Sequence, residues 1–169
     1  LLINPLVGAI SAGNCVALKP SEYTPHMAEA MRQMIHDFFS PAYISFHTGG
    51  IEVNQALLAE KWDYIFFTGS PIVGKIVMES AAKHVTPVTL ELGGKSPCIV
   101  DYDANLKRAA ARIAWGKFLN AGQTCIAPDY ILVHKAIKSQ FLTLLETYIV
   151  KYFGENARDC PDYVHIATQ

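Results

Sequence analysis

Apolar residues recur along this chain with two alternating periods, and the switches between them mark out a series of strands and helices. The short β-rich runs Cys15–Leu18 and Tyr43–Phe46 flank a stretch in which Met27, Ala30, Met31, Met34, Ile35 and Phe38 recur at helical spacing. Thr24-Pro25 reads as the start of that helix, the hydroxyl capping free N–H groups and the proline fixing φ at the first helical position. A further helix is expected near Glu52–Glu60. The apolar strand Tyr64–Phe67, the helical stretch Val73–His84 and the strand Val88–Glu91 come next. Strand, helix and strand in repetition imply an α/β fold with a doubly wound parallel sheet, covered by helices on both faces.

Beyond Gly93-Gly94 a second series begins. It holds a short strand at Cys98–Val100, a helix from about Ala104 to Leu119, a loop around Cys125, the strand Tyr130–Val133 and a long helix. In that last helix Ile137, Phe141, Leu144, Leu145, Tyr148 and Tyr152 make one apolar stripe, and Gly154 is the expected stop. The turn from one series to the next is expected at Leu92–Gly94, where a carboxylate-bearing strand runs into two glycines that permit a tight backbone change. This divides the chain into residues 1–91 and 92–169. There is no internal repeat and no low-complexity tract.

Composition narrows the class. Of 169 residues, 51% are hydrophobic and 17% charged, enough for a buried core and unlike a disordered chain. The net charge is −1 with both signs spread evenly, so no basic stripe invites nucleic acid. No apolar run approaches the ~20 residues that cross a bilayer. The four cysteines, Cys15, Cys98, Cys125 and Cys160, have neither disulfide-scaffold density nor Cys-x-x-Cys spacing, which fits a reducing, cytoplasmic setting. The six histidines show no ligand spacing, and no metal is expected. The chain opens inside the apolar segment Leu1-Leu2-Ile3-Asn4-Pro5 and reads as an excerpt of a longer protein.

Two residues stand out chemically. Cys125 follows the polar, glycine-containing run Gly122-Gln123-Thr124, and Glu91 interrupts an apolar strand. Most cysteines in apolar surroundings are inert packing, and a carboxylate at a strand end ordinarily reaches solvent or a lysine. The alternative is chemical: a thiolate attacks a carbonyl carbon and holds the acyl group as a thioester, which a carboxylate-activated water releases. A partly desolvated site would raise the Glu91 pKa toward the working range. Lys19-Pro20-Ser21-Glu22 follows a strand, where doubly wound sheets bind nucleotides, although a solvated turn explains it equally. Gly69-Ser70-Pro71-Ile72-Val73-Gly74 joins a strand to a helix and offers N–H groups to a phosphate. By itself it is a weak signal, because many such turns need glycine for geometry. Trp115 and Phe118 fit either an apolar tunnel or the core.

The block Thr86–Cys98 around Glu91-Leu92-Gly93-Gly94-Lys95-Ser96-Pro97, the run Asn120–Pro128 around Cys125, and Lys19–Glu22 closely resemble the aldehyde dehydrogenase superfamily. Their detail is most similar to the class 3 branch that includes fatty aldehyde dehydrogenases. The resemblance implies a Rossmann-like NAD(P) domain over 1–91 and part of a catalytic domain over 92–169. It implies Cys125 as nucleophile and Glu91 as general base, and places NAD, with NADP as a second cofactor, at Lys19, Glu22, Gly69, Ser70, Pro71, Ile72, Val73, Gly74 and Leu92. It implies an aldehyde substrate, long-chain aliphatic or aromatic, a homodimeric whole protein, and membrane attachment only through a C-terminal tail outside this sequence. The family's oxyanion asparagine and its Glu-x-Phe-Gly-Pro stretch also lie outside it. The rival readings are a truncated, non-catalytic homologue, an acylating relative that passes the acyl group to coenzyme A, and an acyl-phosphate reductase.

Overall fold

The computed structural model describes residues 1–167 and divides into two compact units, Leu1–Leu92 and Gly93–Gln169. The fold is α/β with every strand pair parallel.

The first unit opens with helix α1 (Ile3–Ser11), which the periodicity did not announce. Its sequence is almost wholly apolar, so no stripe stands out, and Pro5 sits in the first turn, where its missing N–H has no helical partner to lose. Strand β1 (Val16–Leu18), helix α2 (Pro25–Phe38) and strand β2 (Ile44–Phe46) then make one crossover, with Val16 paired to Ile44 and Leu18 to Phe46. Leu6, Leu18, Ile35 and Ile44 close over one another as this unit's core. Helix α2 begins where expected but is capped differently: Thr24 Oγ1 donates back to the Ser21 carbonyl (3.2 Å) and makes no cap bond to the helix. Its buried face also differs. Ala28 and Ile35 are buried, whereas Met27, Met34 and Phe38 are exposed.

Helix α3 (Ile51–Ala59), strand β3 (Ile65–Thr68), helix α4 (Pro71–Ala82) and strand β4 (Val88–Glu91) complete the unit. Strand β3 pairs with β4 from Ile65–Val88 to Thr68–Glu91, and the hydroxyls of Tyr64 and Thr89 bond across the pair. Thr86 Oγ1 donates to the Trp62 carbonyl at 2.8 Å, tying the approach to β4 to the approach to β3.

The second unit is a single crossover extended by a helix. Strand β5 (Ser96–Val100), helix α5 (Leu106–Phe118) and strand β6 (Pro128–Val133) precede helix α6 (Lys138–Phe153). Val100, Ala110, Ile113 and Phe141 form its core, with Ile137, Leu144, Leu145 and Tyr148 of the expected stripe packed against it. Asn105 caps α5 by accepting from the Arg108 N–H (3.1 Å), and α6 ends at Gly154, whose φ of 78° suits glycine. Among the described residues no helix is long and apolar enough to cross a membrane.

Candidate active site

Cys125 lies in a turn between a short 3-10 segment, Leu119–Gly122, and the start of β6. The turn closes with the Ala127 N–H donating to the Thr124 carbonyl at 3.0 Å. The thiol is free and half-buried. Its own backbone is held from the β5 side: Ser96 Oγ donates to the Cys125 carbonyl at 3.4 Å, and a Cβ on Gly94 would run into that same carbonyl oxygen. Gly94 is therefore a seat for the cysteine's backbone, and it lies just past the division between the two units at Leu92–Gly93, within the expected Leu92–Gly94. Gly93, with nothing near its missing Cβ, has no such role. Ahead of the thiol, Asn120, Ala121 and Gly122 have φ of 55°, 53° and 77°, three consecutive left-handed residues.

Glu91 ends β4, and its carbonyl accepts from the Gly69 N–H at 3.0 Å. The first unit thus brings the candidate base and the glycine turn to the C-terminal end of the β3–β4 pair. The Glu91 side chain is exposed and takes no hydrogen bond or ion pair among the described residues. The partial desolvation expected for it is absent from this chain.

The turn Gly69–Gly74 is well built as a helix start. Ser70 Oγ accepts from the Val73 N–H at 3.3 Å, Pro71 takes the first helical position, and the Gly74 N–H bonds the Ser70 carbonyl at 2.9 Å. The N–H groups of Ser70 and Ile72 are what remains for an anion, at the positive end of the α4 dipole. The two glycines answer to packing. A Cβ on Gly74 would come within 2.8 Å of Leu92 Cδ2, and one on Gly69 would strike the Phe67 ring. Leu92 accordingly meets α4.

Lys19 and Glu22, just past the end of β1, close on each other: Nζ and Oε2 are 2.8 Å apart. The Lys19 hydrogen bond holds the Glu22 carboxyl below the usual carboxylate range, helped by Glu22's own backbone N–H. The pair was expected to reach outward to a ribose, and here each group satisfies the other. Trp115 is exposed, and Phe118 joins Phe153 and Tyr163 in an aromatic cluster with centroids 5.1–6.5 Å apart. A cleft of about 430 Å³ runs past both residues to Tyr152 and Asn120. No group of three or more His, Cys, Asp or Glu is placed to hold a metal among the described residues.

The model for the aldehyde dehydrogenase family matches residues 1–160. The chain belongs to the aldehyde dehydrogenase family. Its relatives include the 4,4'-diaponeurosporen-aldehyde dehydrogenase of Staphylococcus aureus (strain NCTC 8325 / PS 47), 51% identical over 98% of this chain and 36% of that protein. The dimeric NADP-preferring aldehyde dehydrogenase of Mus musculus is also 51% identical, over 98% of this chain and 37% of its own. Aldehyde dehydrogenase family 3 member A2 of Macaca fascicularis is 48% identical over 98% of this chain and 34% of its own. A substrate-bound structure of Staphylococcus aureus AldH superposes with a TM-score of 0.91 at 49% identity, covering 99% of this chain and 36% of that one. The chain thus spans about a third of the length of the curated aldehyde dehydrogenases it matches.

What sequence reasoning missed is the framing of Cys125. Ser96 and Gly94 touch its carbonyl, and Gln123 holds the turn in front of it. The Gln123-to-cysteine adjacency was visible, but partners 29 or more positions away leave no local signal.

Proposed function

We propose that the whole protein oxidises an aldehyde to a carboxylic acid with NAD or NADP, through a thioester on Cys125 that water attacks with Glu91 as general base. The observation that carries this reading is the cysteine turn: a free, half-buried thiol whose backbone carbonyl is fixed from β5. The Cys125 N–H lies beside the sulfur, where it would meet a developing oxyanion. Cys125 thiolate adds to the carbonyl carbon and forms a thiohemiacetal alkoxide. The nicotinamide, when bound, is the hydride acceptor that this oxidation requires. Glu91 then takes a proton from water as the water adds to the thioester carbonyl, and thiolate leaves with the acid as product. The α4 start supplies free N–H groups and a positive dipole suited to a pyrophosphate, while Lys19 and Glu22 supply groups suited to a ribose once their mutual bond is exchanged. A homodimer goes with this reading, since the mouse relative is named dimeric, and a reducing, cytoplasmic setting goes with the cysteine usage.

The experiment is rapid mixing of the whole enzyme carrying Glu91→Gln. Acylation and hydride transfer continue for one turnover, while hydrolysis slows by ~10²–10⁴-fold. The expected record is up to one equivalent of NAD(P)H, then a very slow steady state, with added mass on the Cys125 peptide. Cys125→Ser should abolish both phases. Wild-type turnover in Glu91→Gln, or hydride transfer without an acylated Cys125, would remove the mechanism.

A further inference from the structure

The turn before the nucleophile is held in a state it would not choose. Left-handed φ is routine for glycine and tolerable for asparagine, but Ala121 at φ 53° carries a Cβ against the following carbonyl and persists only where its surroundings hold it. One side chain does most of the holding. The Gln123 backbone N–H and its Nε2 both donate to the Asn120 carbonyl at 3.0 Å, and Asn120 Nδ2 donates back to the Gln123 carbonyl at 3.2 Å. The same carboxamide reaches a segment more than forty residues downstream. Nε2 donates to the His165 carbonyl at 3.3 Å, and Oε1 accepts from the Ala167 N–H at 3.0 Å.

Both protons and the oxygen of a single amide are thus committed, to two different stretches of backbone, two residues ahead of Cys125. No other side chain type provides this. A carboxylate lacks the donors, a lysine lacks the acceptor, and an asparagine is one methylene shorter. These bonds are exposed and individually weak, so their effect lies in acting together on one turn.

We propose that Gln123 is the positioning residue of the nucleophile: its carboxamide locks Asn120–Gly122 left-handed and straps the cysteine loop to His165–Ala167, which sets where the Cys125 sulfur stands. Gln123 itself touches no reacting atom. On its loss, Ala121 relaxes out of the left-handed region and the sulfur leaves the line of attack, while cofactor binding, built on the other unit's residues, is untouched. The catalytic half of this claim rests on the proposed function; the positional half does not.

The test uses the whole enzyme with Gln123→Met, which keeps length but removes the hydrogen bonds, Gln123→Glu, which sets a negative oxygen against two carbonyls, and the double variant Gln123→Met/Ala121→Gly. Two readouts are taken together: kcat and KM, and the iodoacetamide alkylation rate of Cys125 by peptide mass, with Cys98 and Cys160 as internal controls. The expectation is kcat lower by ~10–100-fold with cofactor KM within a few-fold. Cys125 alkylation should change, with Cys98 and Cys160 unaltered, and Gln123→Glu should be worse than Gln123→Met. Glycine at 121 removes the reason for the turn to relax, so the double variant should regain part of the lost kcat. Wild-type kcat and alkylation in Gln123→Met overturn the proposal. So does a loss of melting temperature with all cysteines accelerated alike, which marks a merely structural role. If the wild-type enzyme oxidises no aldehyde, the proposed function fails, and the Cys125 alkylation comparison still decides the positioning.

Discussion

At the scale of single residues, the Lys19–Glu22 pair has the clearest consequence. The Glu22 carboxyl is held below its ordinary value of 4.5 by the ammonium it bonds. A lowered value in the fold means that the pair's contribution is complete above that ordinary value and is lost as pH falls through the lowered one. Across neutral and alkaline pH, Glu22 stays charged and its effect on cofactor choice should be flat. Replacing it with glutamine removes one negative charge and frees Lys19, so kcat/KM for NADP should rise relative to NAD. An unchanged ratio in Glu22→Gln would mean that these two residues do not face the ribose. Their chemistry was legible in Lys19-Pro20-Ser21-Glu22, but their satisfaction by each other was not. Spacing of three allows a bond without requiring one.

Among elements, the strands and helices that alternate clearly in the sequence are the ones that formed, and the departures have physical causes. Helix α2 carries two apolar stripes: one holds Ala28 and Ile35 and is buried, while the other holds Met27, Met34 and Phe38 and is exposed. Periodicity alone cannot choose between them. The adjacent Gly93 and Gly94 look equivalent in sequence. Only the contact with the Cys125 carbonyl separates them, and that contact reaches across all of β5 and α5 in sequence. Gly94→Ala should therefore lower kcat by ~10-fold or more through displacement of the Cys125 backbone, whereas Gly93→Ala should stay within a few-fold. Paired measurements of kcat and melting temperature check it, and equal effects at the two positions would refute the seat. Helix α4 gives a second check. Ser70→Ala removes the cap on Val73 and should cost about 1 kcal/mol by denaturant titration.

For the molecule as a whole, composition foretold a core but not how much apolar surface stays uncovered. Besides the outer stripe of α2, Ile99 of β5, Leu132 of β6 and Ile126 beside Cys125 are all exposed. These 169 residues expressed alone should therefore bind an apolar dye and self-associate in light scattering, and a dye-free monodisperse monomer would contradict this. The topology has a further consequence in time. Each strand pair is closed by its own crossover, so the pairs are complete once Phe46, Glu91 and Val133 have been made, 45 (91 − 46) and 42 (133 − 91) residues apart. At ~5–20 residues per second a ribosome needs roughly 2–9 s for each interval. Mixed α/β units of this size close in about milliseconds to a second, so each pair can settle before its successor emerges. Nascent chains stalled at increasing lengths should accordingly gain protease protection in three steps, and one late step would show that pairing waits for the finished polypeptide.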